Sequence, residues 1–395
     1  MHSWSKFILN NRLLLSYGFF FNFFSSYGQT FFVSLLVPFW IAELHITNAE
    51  FGSMYGLVSV ASALALPLIG RQIDFMPLRR FSLLIFAGLI LSVSLLSAAN
   101  SFLLLLTGLF LVRFFGQGLM THTSSTGIAK LFDEERGKAL AFTSLGHPFA
   151  QLILPFVFVL LTGIFNWRLS FMLLALLSLI IMLPLIFHIS PEEEIEDDPS
   201  NGAVKEHGNH FLLSRRFWQI AVNIFVIPFL STAIMLYQYR IAESKGWDSS
   251  WVIFSFSFFA VFNGLSMFFS GGLIDRFTGV RLFPYYLLPA LAGFAAMTFF
   301  DHQWIYPVFY GLLGLSSGLG STIKTAVQAE VYGTAQLGEV RSYLSTIMVL
   351  GTAAGPPVLG YLLDIRWSMD YIMSGAAILL LIIFIISVSF KQRKV

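Results

Sequence analysis

Long apolar stretches alternate with short polar segments along the whole chain. The first apolar stretch runs from Leu13 to Ile41, and eleven more follow it. A helix that crosses a bilayer needs about 20 apolar residues, whereas the strands of a membrane barrel are segments of about ten residues with alternating polarity. The pattern therefore predicts twelve membrane-spanning helices. After the first, they are expected at about 51–70, 81–99, 102–128, 139–163, 169–189, 217–241, 250–273, 282–300, 304–329, 342–363 and 371–389.

The composition excludes several classes of protein. Of the 395 residues, 56% are hydrophobic and 11% are charged, while a soluble domain carries about 25% charged residues. A water-soluble enzyme is therefore excluded. The chain has no cysteine, and it contains neither a phosphate-binding P-loop motif nor a His-Glu-x-x-His metal motif. We expect no enzymatic activity, no metal, no cofactor and no nucleic-acid partner, and we expect a monomer.

Lysine and arginine are distributed unequally between the two sides of the predicted helices. If the N-terminus is inside, the inner segments hold 17 of these residues and the outer segments hold three. Such an excess is typical of cytoplasmic loops, so both termini are predicted to be cytoplasmic. The absence of cysteine and the short inner loops suit a multi-pass protein of a bacterial inner membrane. Most of the tryptophans fall at predicted helix ends, where an interfacial belt is expected.

An acidic segment separates the first six predicted helices from the last six. Six carboxylates lie between Glu192 and Asp198, and Pro-Ser-Asn-Gly follows them. Charge blocks of this kind repel one another and stay solvated. We therefore predict an N-terminal bundle over 1–190, a cytoplasmic linker over 191–216 and a C-terminal bundle over 217–395.

The two predicted bundles repeat one another in sequence. The segment from Gly70 to Asp74 after span 2 matches the segment from Gly271 to Asp275 after span 8. A Gly-x-Gly in span 4 matches another in span 10, and a Leu-Gly in span 5 matches one in span 11. The three offsets are 201, 202 and 205 residues. Parallel repeats of six helices are an architecture of membrane carriers.

On these residues the chain resembles the major facilitator superfamily of secondary transporters over nearly its whole length. The family's loop signature appears twice, although Phe75 and Pro77 depart from it in the first copy. The resemblance implies an all-α fold of twelve helices in two pseudo-symmetric six-helix bundles, and loops that lock one access state through ion pairs. The general pattern is similar to the monocarboxylate and oxalate–formate carriers. The gating residues that the resemblance implies are Gly70, Asp74, Arg79, Arg80, Glu134, Asp275, Arg276 and Arg281.

Charged residues inside the predicted spans are cationic. Arg113 lies near the middle of span 4 and Lys324 lies in span 10, while all 21 Asp and Glu lie in loops or near span ends. A buried arginine costs at least about 2.5 kcal/mol at this depth. Arg113 is interpreted as an anchor for an anion in a cavity, or alternatively as a structural arginine bonded to backbone carbonyls of a neighbouring helix. The cationic interior predicts a substrate that is at least partly anionic.

Uncharged polar residues extend the predicted binding set. Gln117 lies one turn from Arg113, and Tyr27 and Gln29 lie at mid-depth in span 1. The alternative for span 1 is close helix packing with locally bonded hydroxyls. Tyr237 and Gln238 are expected to line an outer vestibule near the end of span 7. The predicted substrate-binding residues are Arg113, Gln117, Tyr27, Gln29, Lys324, Tyr237 and Gln238.

Two histidines are candidates for moving a proton. His122 in span 4 and His147 in span 5 are expected at similar depth on adjacent helices, and imidazole titrates near neutrality. The alternative is an inert histidine bonded to a carbonyl. Glu330, an acidic residue close to lipid depth, is the third proton-coupling candidate. Arg113 and His122 are nine residues apart, about 180° on an ideal helix, so both face one cavity only if span 4 is distorted.

Together these features predict a secondary transporter that moves a small organic anion by alternating access, coupled to protons or working by exchange. Without a P-loop, the energy must come from an ion or solute gradient. The alternative is an exporter of amphipathic or hydrophobic compounds, such as drugs or siderophores, which the 44 phenylalanines favour. A third interpretation is a transporter-shaped sensor without flux.

Overall fold

Twelve long helical segments follow one another along the chain. The computed structural model describes residues 2–132, 135–189, 210–333 and 337–389. Over these residues, ten helices are long and apolar enough to cross a membrane. The segment Tyr285–Phe299 is shorter, and Ile305–Tyr332 carries Lys324 and Glu330. The segments are α1 (Arg12–Leu44), α2 (Asn48–Asp74), α3 (Leu78–Ser97), α4 (Phe102–Leu131), α5 (Arg136–Thr162), α6 (Trp167–His188), α7 (Arg215–Leu236), α8 (Ser250–Phe277), α9 (Tyr285–Phe299), α10 (Ile305–Tyr332), α11 (Leu337–Asp364) and α12 (Met369–Val388).

These helices confirm the predicted all-α membrane fold, with one notable change of boundary. The seventh span, predicted over 217–241, ends at Leu236. Tyr237 leaves the helical conformation, and a separate short helix, Gln238–Ser244, follows it. Most of the predicted linker falls in 190–209, outside the described residues.

The chain forms two compact units. Unit 1 comprises Met1–Ile46 and Leu57–Gly202, and unit 2 comprises Thr47–Gly56 and Ala203–Val395. The first turns of α2 therefore belong to unit 2, and the rest of that helix belongs to unit 1.

The start of α2 is held in unit 2 by a carboxylate of α11. Asp364 accepts hydrogen bonds from the Asn48 amide at 3.1 Å, the Asn48 side chain at 2.8 Å and the Ala49 amide at 2.7 Å. The first amides of a helix have no intrahelical partner, and a negative charge is favourable beside them. The Tyr237 hydroxyl donates to the Asn48 carbonyl at 2.5 Å.

Glycines let the helices of unit 2 approach one another closely. A Cβ on Gly314 of α10 would lie 2.5 Å from the Phe259 carbonyl oxygen of α8, and one on Gly351 of α11 would lie 2.6 Å from the Phe225 carbonyl oxygen of α7. Small residues serve this purpose between membrane helices, because lipid gives the helices no hydrophobic reason to associate. Many large apolar side chains, such as Phe268 and Phe299, are exposed instead. We assign these to the lipid-facing surface.

Each unit has a charged clasp, a set of contacts that joins three connections between its helices. In unit 1, Glu43 pairs with Arg168 at 2.5 Å, and Arg168 also donates to the Ala99 carbonyl at 3.0 Å. In unit 2, Lys245 pairs with Asp301 at 2.6 Å and with Asp370 at 2.5 Å.

The two clasps join equivalent points of the repeat with opposite charges. Each member of the unit 1 clasp lies 202 residues before its counterpart in unit 2. The counterparts are Glu43 and Lys245, Ala99 and Asp301, and Arg168 and Asp370. The repeat has therefore kept the position of the clasp and reversed its polarity.

Lys245 is the most buried charge of the two clasps, with 7% of its side chain exposed. Burial alone would lower the pKa of its ammonium, but the hydrogen bonds to Asp301 and Asp370 hold that pKa above its ordinary value. A cation with a raised pKa loses its stabilising effect only as the pH rises through that pKa. The clasp therefore remains charged at neutral pH.

The reversed polarity predicts a charge-swap rescue in unit 1. Glu43→Lys and Arg168→Glu should each lower the free energy of unfolding by about 1–3 kcal/mol, because each leaves two like charges together. The double variant should recover most of that loss, since unit 2 accommodates the reversed pair. Thermal unfolding of the purified protein in detergent measures both effects. Glu243→Gln, in the exposed pair with Arg240, is the control and should be nearly neutral. A double variant as unstable as the sum of the singles would contradict the prediction.

Candidate functional site

The α1 helix is broken at the middle of its length. Its first α-helical part ends at Phe24, a 3₁₀ turn covers Ser25–Gly28, and Gln29 is extended before the helix resumes at Thr30. The Ser25 hydroxyl donates to the Asn22 carbonyl at 2.6 Å, a local bond that competes with regular helix geometry. Irregular backbone at membrane depth is tolerated only inside protein or beside a water-filled cavity.

The α4 helix is irregular at the same depth. Residues Val112–Met120 form a π-helix, a form frequently found at functional sites. This segment packs directly on the break of α1, and each side contributes a glycine. A Cβ on Gly28 would overlap the Val112 carbonyl oxygen, and one on Gly116 would lie 3.0 Å from the Gly28 nitrogen. We call this contact the junction, defined by Ser25–Gln29 and Val112–Met120.

Arg113 belongs to the junction and is almost fully buried. Its exposed fraction is 4%, and its guanidinium donates to the Gly28 carbonyl at 3.4 Å. The break in α1 leaves this carbonyl available, because Gln29 is extended and starts a new helical segment. Arg113 thus makes the backbone contact expected of a structural arginine, and its positive charge stays at mid-depth in unit 1.

Four polar side chains around the junction are only half-buried: Gln29, Gln117, His147 and Gln151. The side-chain amides of Gln29 and Gln117 form no hydrogen bond with another described residue. On α5, His147 Nε2 lies 3.3 Å from Gln151 Nε2, and the His147 ring contacts Phe31 of α1 with centroids 5.9 Å apart. We call these four residues the junction polar set.

Arg113 and His122 can face one cavity only if span 4 is distorted, and the π segment is such a distortion. An extra residue in a helical turn rotates everything after it by about 100°, so the separation of 180° does not apply here. His122 Nε2 lies 3.1 Å from the Gly70 carbonyl oxygen near the end of α2. His122 is thus bonded to a carbonyl, as its alternative interpretation expected.

Three residues that were predicted to line a cavity or vestibule are instead buried within their own units. Tyr27 is fully buried, and its hydroxyl donates to the Leu174 carbonyl at 2.8 Å. Tyr237 is bonded to the start of α2. Gln238 is buried and accepts hydrogen bonds from Tyr306 and Tyr310 of α10. All three are therefore buried side chains with hydrogen-bond partners inside their own unit.

Lys324 lies half-buried in the inner half of α10. Its Nζ is 6.0 Å from the centroid of the Tyr286 ring, and the Tyr286 hydroxyl donates to Asn223 Oδ1 at 2.5 Å. Lys324 forms no ion pair with any residue that the structure describes. It is therefore a membrane-depth cation of unit 2 without a carboxylate partner in the described chain.

The signature loops are held by the C-terminal ends of α4 and α10. In unit 1, Lys130 pairs with Asp74 at 2.7 Å and donates to the Ile73 carbonyl at 2.9 Å. In unit 2, Glu330 accepts from the amides of Gly279 at 2.7 Å and Val280 at 2.9 Å. A cation thus contacts the loop in unit 1 and a carboxylate contacts it in unit 2, from neighbouring but not equivalent repeat positions. Because Glu330 has a capping contact at a helix end, we do not assign it a role in coupling.

Among the described residues, the remaining charged gating candidates form no ion pair. Arg79 stacks on Phe187 and Arg276 on Phe277, with guanidinium-to-centroid distances of 4.6 Å and 5.1 Å. Arg80, Asp275 and Arg281 are exposed. Glu134 lies outside the described residues. No sequence pattern indicated that aromatic rings contact Arg79 and Arg276.

Sequence reasoning missed three residues that the structure brings into contact with these sites. Gln151 lies four residues after His147, a spacing that puts both on one helix face. Its contact with His147 could therefore have been predicted from the sequence. Lys130 and Asp364 contact residues far away in the chain, and no local pattern indicates such pairs.

Comparisons with known proteins agree with this architecture. The family model described as Major Facilitator Superfamily matches residues 18–328 and, in a second match, 241–395. No match was found among curated protein sequences.

Solved structures show the same fold. A bacterial homologue of the human lysosomal transporter Spinster is 16% identical in its inward-facing occupied form, with a TM-score of 0.69 and 95% of each chain covered. Its inward-facing unoccupied form is 15% identical, with a TM-score of 0.73 and coverage of 96% of this chain and 97% of that one. The nucleoside transporter NupG, solved as a point mutant, is 12% identical, with a TM-score of 0.71 and coverage of 95% and 96%. At these identities the likeness concerns the fold alone.

Proposed function

Because the chain belongs to the Major Facilitator Superfamily, a family of transporters rather than enzymes, we propose that it moves a small organic anion across the membrane. One observation carries this proposal. Lys324 is a half-buried cation at membrane depth, and it has no carboxylate partner among the described residues. The excess of Lys and Arg on one side supports an inner-membrane position with cytoplasmic termini, which protease accessibility of the termini would test.

The energetics of Lys324 favour a negatively charged ligand. An ammonium in the membrane interior is costly unless it is paired, and the face of Tyr286 at 6.0 Å compensates only part of that cost. A carboxylate of the solute would supply the missing charge. Attraction between the two is strengthened where water is excluded.

In unit 1, the junction polar set supplies uncharged groups for recognition. Glutamine amides offer both donors and acceptors, and those of Gln29 and Gln117 are not committed to other described residues. Behind them, Arg113 keeps a positive charge at mid-depth. These groups suit the hydroxyl and carboxylate oxygens of a small organic acid.

Neutralising Lys324 should abolish recognition of the anion. Lys324→Gln is expected to reduce counterflow of the transported acid at least about tenfold, because the loss of one charged contact costs about 1.5–3 kcal/mol. Lys324→Arg should retain part of the activity, and Lys6→Gln, at an exposed position, should be unchanged. The measurement is radiolabelled counterflow in proteoliposomes against a panel of organic acids. Normal counterflow by Lys324→Gln would contradict the proposal.

We assign proton coupling to His147. It is half-buried beside the junction, and its Nε2 lies 3.3 Å from the Gln151 amide, a partner that can stay in contact with either form of the ring by rotating. His122 has its Nε2 directed at the Gly70 carbonyl instead. Of these two histidines, His147 therefore combines a titratable ring with the polar set that we assign to the solute.

Replacing His147 should separate coupling from transport. His147→Gln should lose accumulation driven by an imposed pH gradient while keeping solute exchange, because the amide fills the same space without carrying a proton. His122→Gln and His302→Gln, the latter at an exposed outer position, should keep both activities. The assay compares pH-driven uptake with exchange in the same proteoliposomes. Full pH-driven accumulation by His147→Gln would remove His147 from the mechanism.

A second candidate function, export of amphipathic compounds, is favoured by an apolar cavity in unit 2. The cavity has a volume of about 290 Å³ and lies among α7, α9, α11 and α12, with Phe229, Leu359 and Tyr371 in its lining. It contains no charged side chain, so it offers bulk and no polar selectivity. Increased sensitivity of cells lacking the protein to amphipathic drugs, with no defect in organic-acid transport, would favour this function over the first.

A further inference from the structure

Two arginines that occupy equivalent positions in the repeat have different surroundings. Arg79 and Arg281 lie 202 residues apart, each shortly after a signature loop. The guanidinium of Arg79 lies 4.6 Å from the centroid of the Phe187 ring on α6. The residue 202 positions after Phe187 is Ser389, at the end of α12. Arg281 therefore lacks the ring that covers its counterpart, and it forms no ion pair, hydrogen bond or ring contact with any described residue.

A cavity of about 410 Å³ opens beside Arg281. It lies between the loop after α8 and the end of α12, and Thr278, Arg281, Tyr285, Ser387 and Val388 contribute to its lining. The lining combines a guanidinium with hydroxyl groups, as a binding site for an oxyanion would. Thr278 has a φ of 69°, which is unusual for a β-branched residue, so the backbone holds a strained conformation beside the cavity.

Exposed apolar side chains beside the cavity indicate that its occupant lies next to lipid. Tyr285 is 51% exposed, Val388 is 48% exposed, and Ile385, one turn before Ser389 on α12, is 61% exposed. Exposed apolar side chains on a membrane helix contact acyl chains. An occupant with a phosphate at Arg281 would therefore have hydrocarbon beside it along α12.

We propose that this cavity holds the phosphate group of an anionic membrane phospholipid, bound by Arg281 and flanked by the hydroxyls of Thr278 and Tyr285. A guanidinium matches the geometry of a phosphate with two parallel hydrogen bonds. Basic pockets between membrane helices on the cytoplasmic side bind lipid head groups. A neighbouring acidic group, Glu330, is already bonded to the amides of Gly279 and Val280. In unit 1 the ring of Phe187 lies against the equivalent guanidinium of Arg79, so a phosphate there would have to displace that ring.

The repeat supplies matched variants for the test. Native mass spectrometry of the full chain, purified in detergent with added phosphatidylglycerol, counts the lipids that it retains. Wild type should retain one more phosphatidylglycerol than Arg281→Gln, with about tenfold weaker binding in the variant. Arg79→Gln should retain as many as wild type. Ser389→Phe places a ring at the position of unit 2 that is equivalent to Phe187, and it keeps the charge of Arg281. This variant should lose the lipid as Arg281→Gln does. Melting temperatures confirm that each variant is folded.

Three results would overturn the proposal. Equal lipid retention by wild type, Arg281→Gln and Ser389→Phe would show that the cavity binds no lipid. Equal loss in Arg79→Gln would show that any arginine on this surface acts in the same way. If inorganic phosphate raises the melting temperature of delipidated wild type but not of Arg281→Gln, and phosphatidylglycerol has no further effect, the site binds free phosphate and not a lipid.

Discussion

The structure of unit 1 depends on satisfying backbone groups that two irregular helices expose at membrane depth. Lipid cannot bond a free amide or carbonyl, so the break in α1 and the π segment of α4 must find partners inside the protein. One such partner comes from α4, where Arg113 bonds the Gly28 carbonyl, and Gly28 and Gly116 bring the two backbones into contact. Any larger residue at Gly28 would overlap the Val112 carbonyl. The same irregularity leaves Gln29 and Gln117 half-buried, so a structural requirement also creates a polar surface for a solute.

The two units show what duplication retains and what it changes. Contacts between equivalent points persist in the clasp, which joins three connections in both units, and the C-terminal end of α4 or α10 contacts a signature loop in each unit. The sign of the charges does not persist, since Glu43 in unit 1 has the position of Lys245 in unit 2. What the fold requires is a charged contact in each place, and either polarity meets that requirement. Arg79 and Arg281 show the opposite case, where both units have the arginine and only unit 1 has a ring against it.

Periodicity and charge were sufficient to predict the twelve helices, because long apolar stretches and inside-positive loops follow directly from the bilayer. They were insufficient for the direction of single side chains. Tyr27 was expected in a cavity, but the 3₁₀ turn before Gln29 directs its hydroxyl to α6. Tyr237 and Gln238 were expected at a vestibule, but the helix ends just before them and α10 binds Gln238. Asp74 was expected in an ion pair of a signature loop, but its partner Lys130 lies far away in sequence and could not be named. Such pairs depend on the packed fold.

Cysteine accessibility tests the claim that the junction is where unit 1 meets the solute, and the chain is suited to it because it has no cysteine of its own. Single Gln29→Cys and Gln117→Cys variants should react with a membrane-impermeant thiol reagent, and the transported acid should slow that reaction. Ser26→Cys, a near-isosteric change at a fully buried position of the same turn, should not react. If Ser26→Cys reacts as fast as Gln117→Cys, or if the acid leaves the labelling of Gln117→Cys unchanged, the junction is not the binding surface.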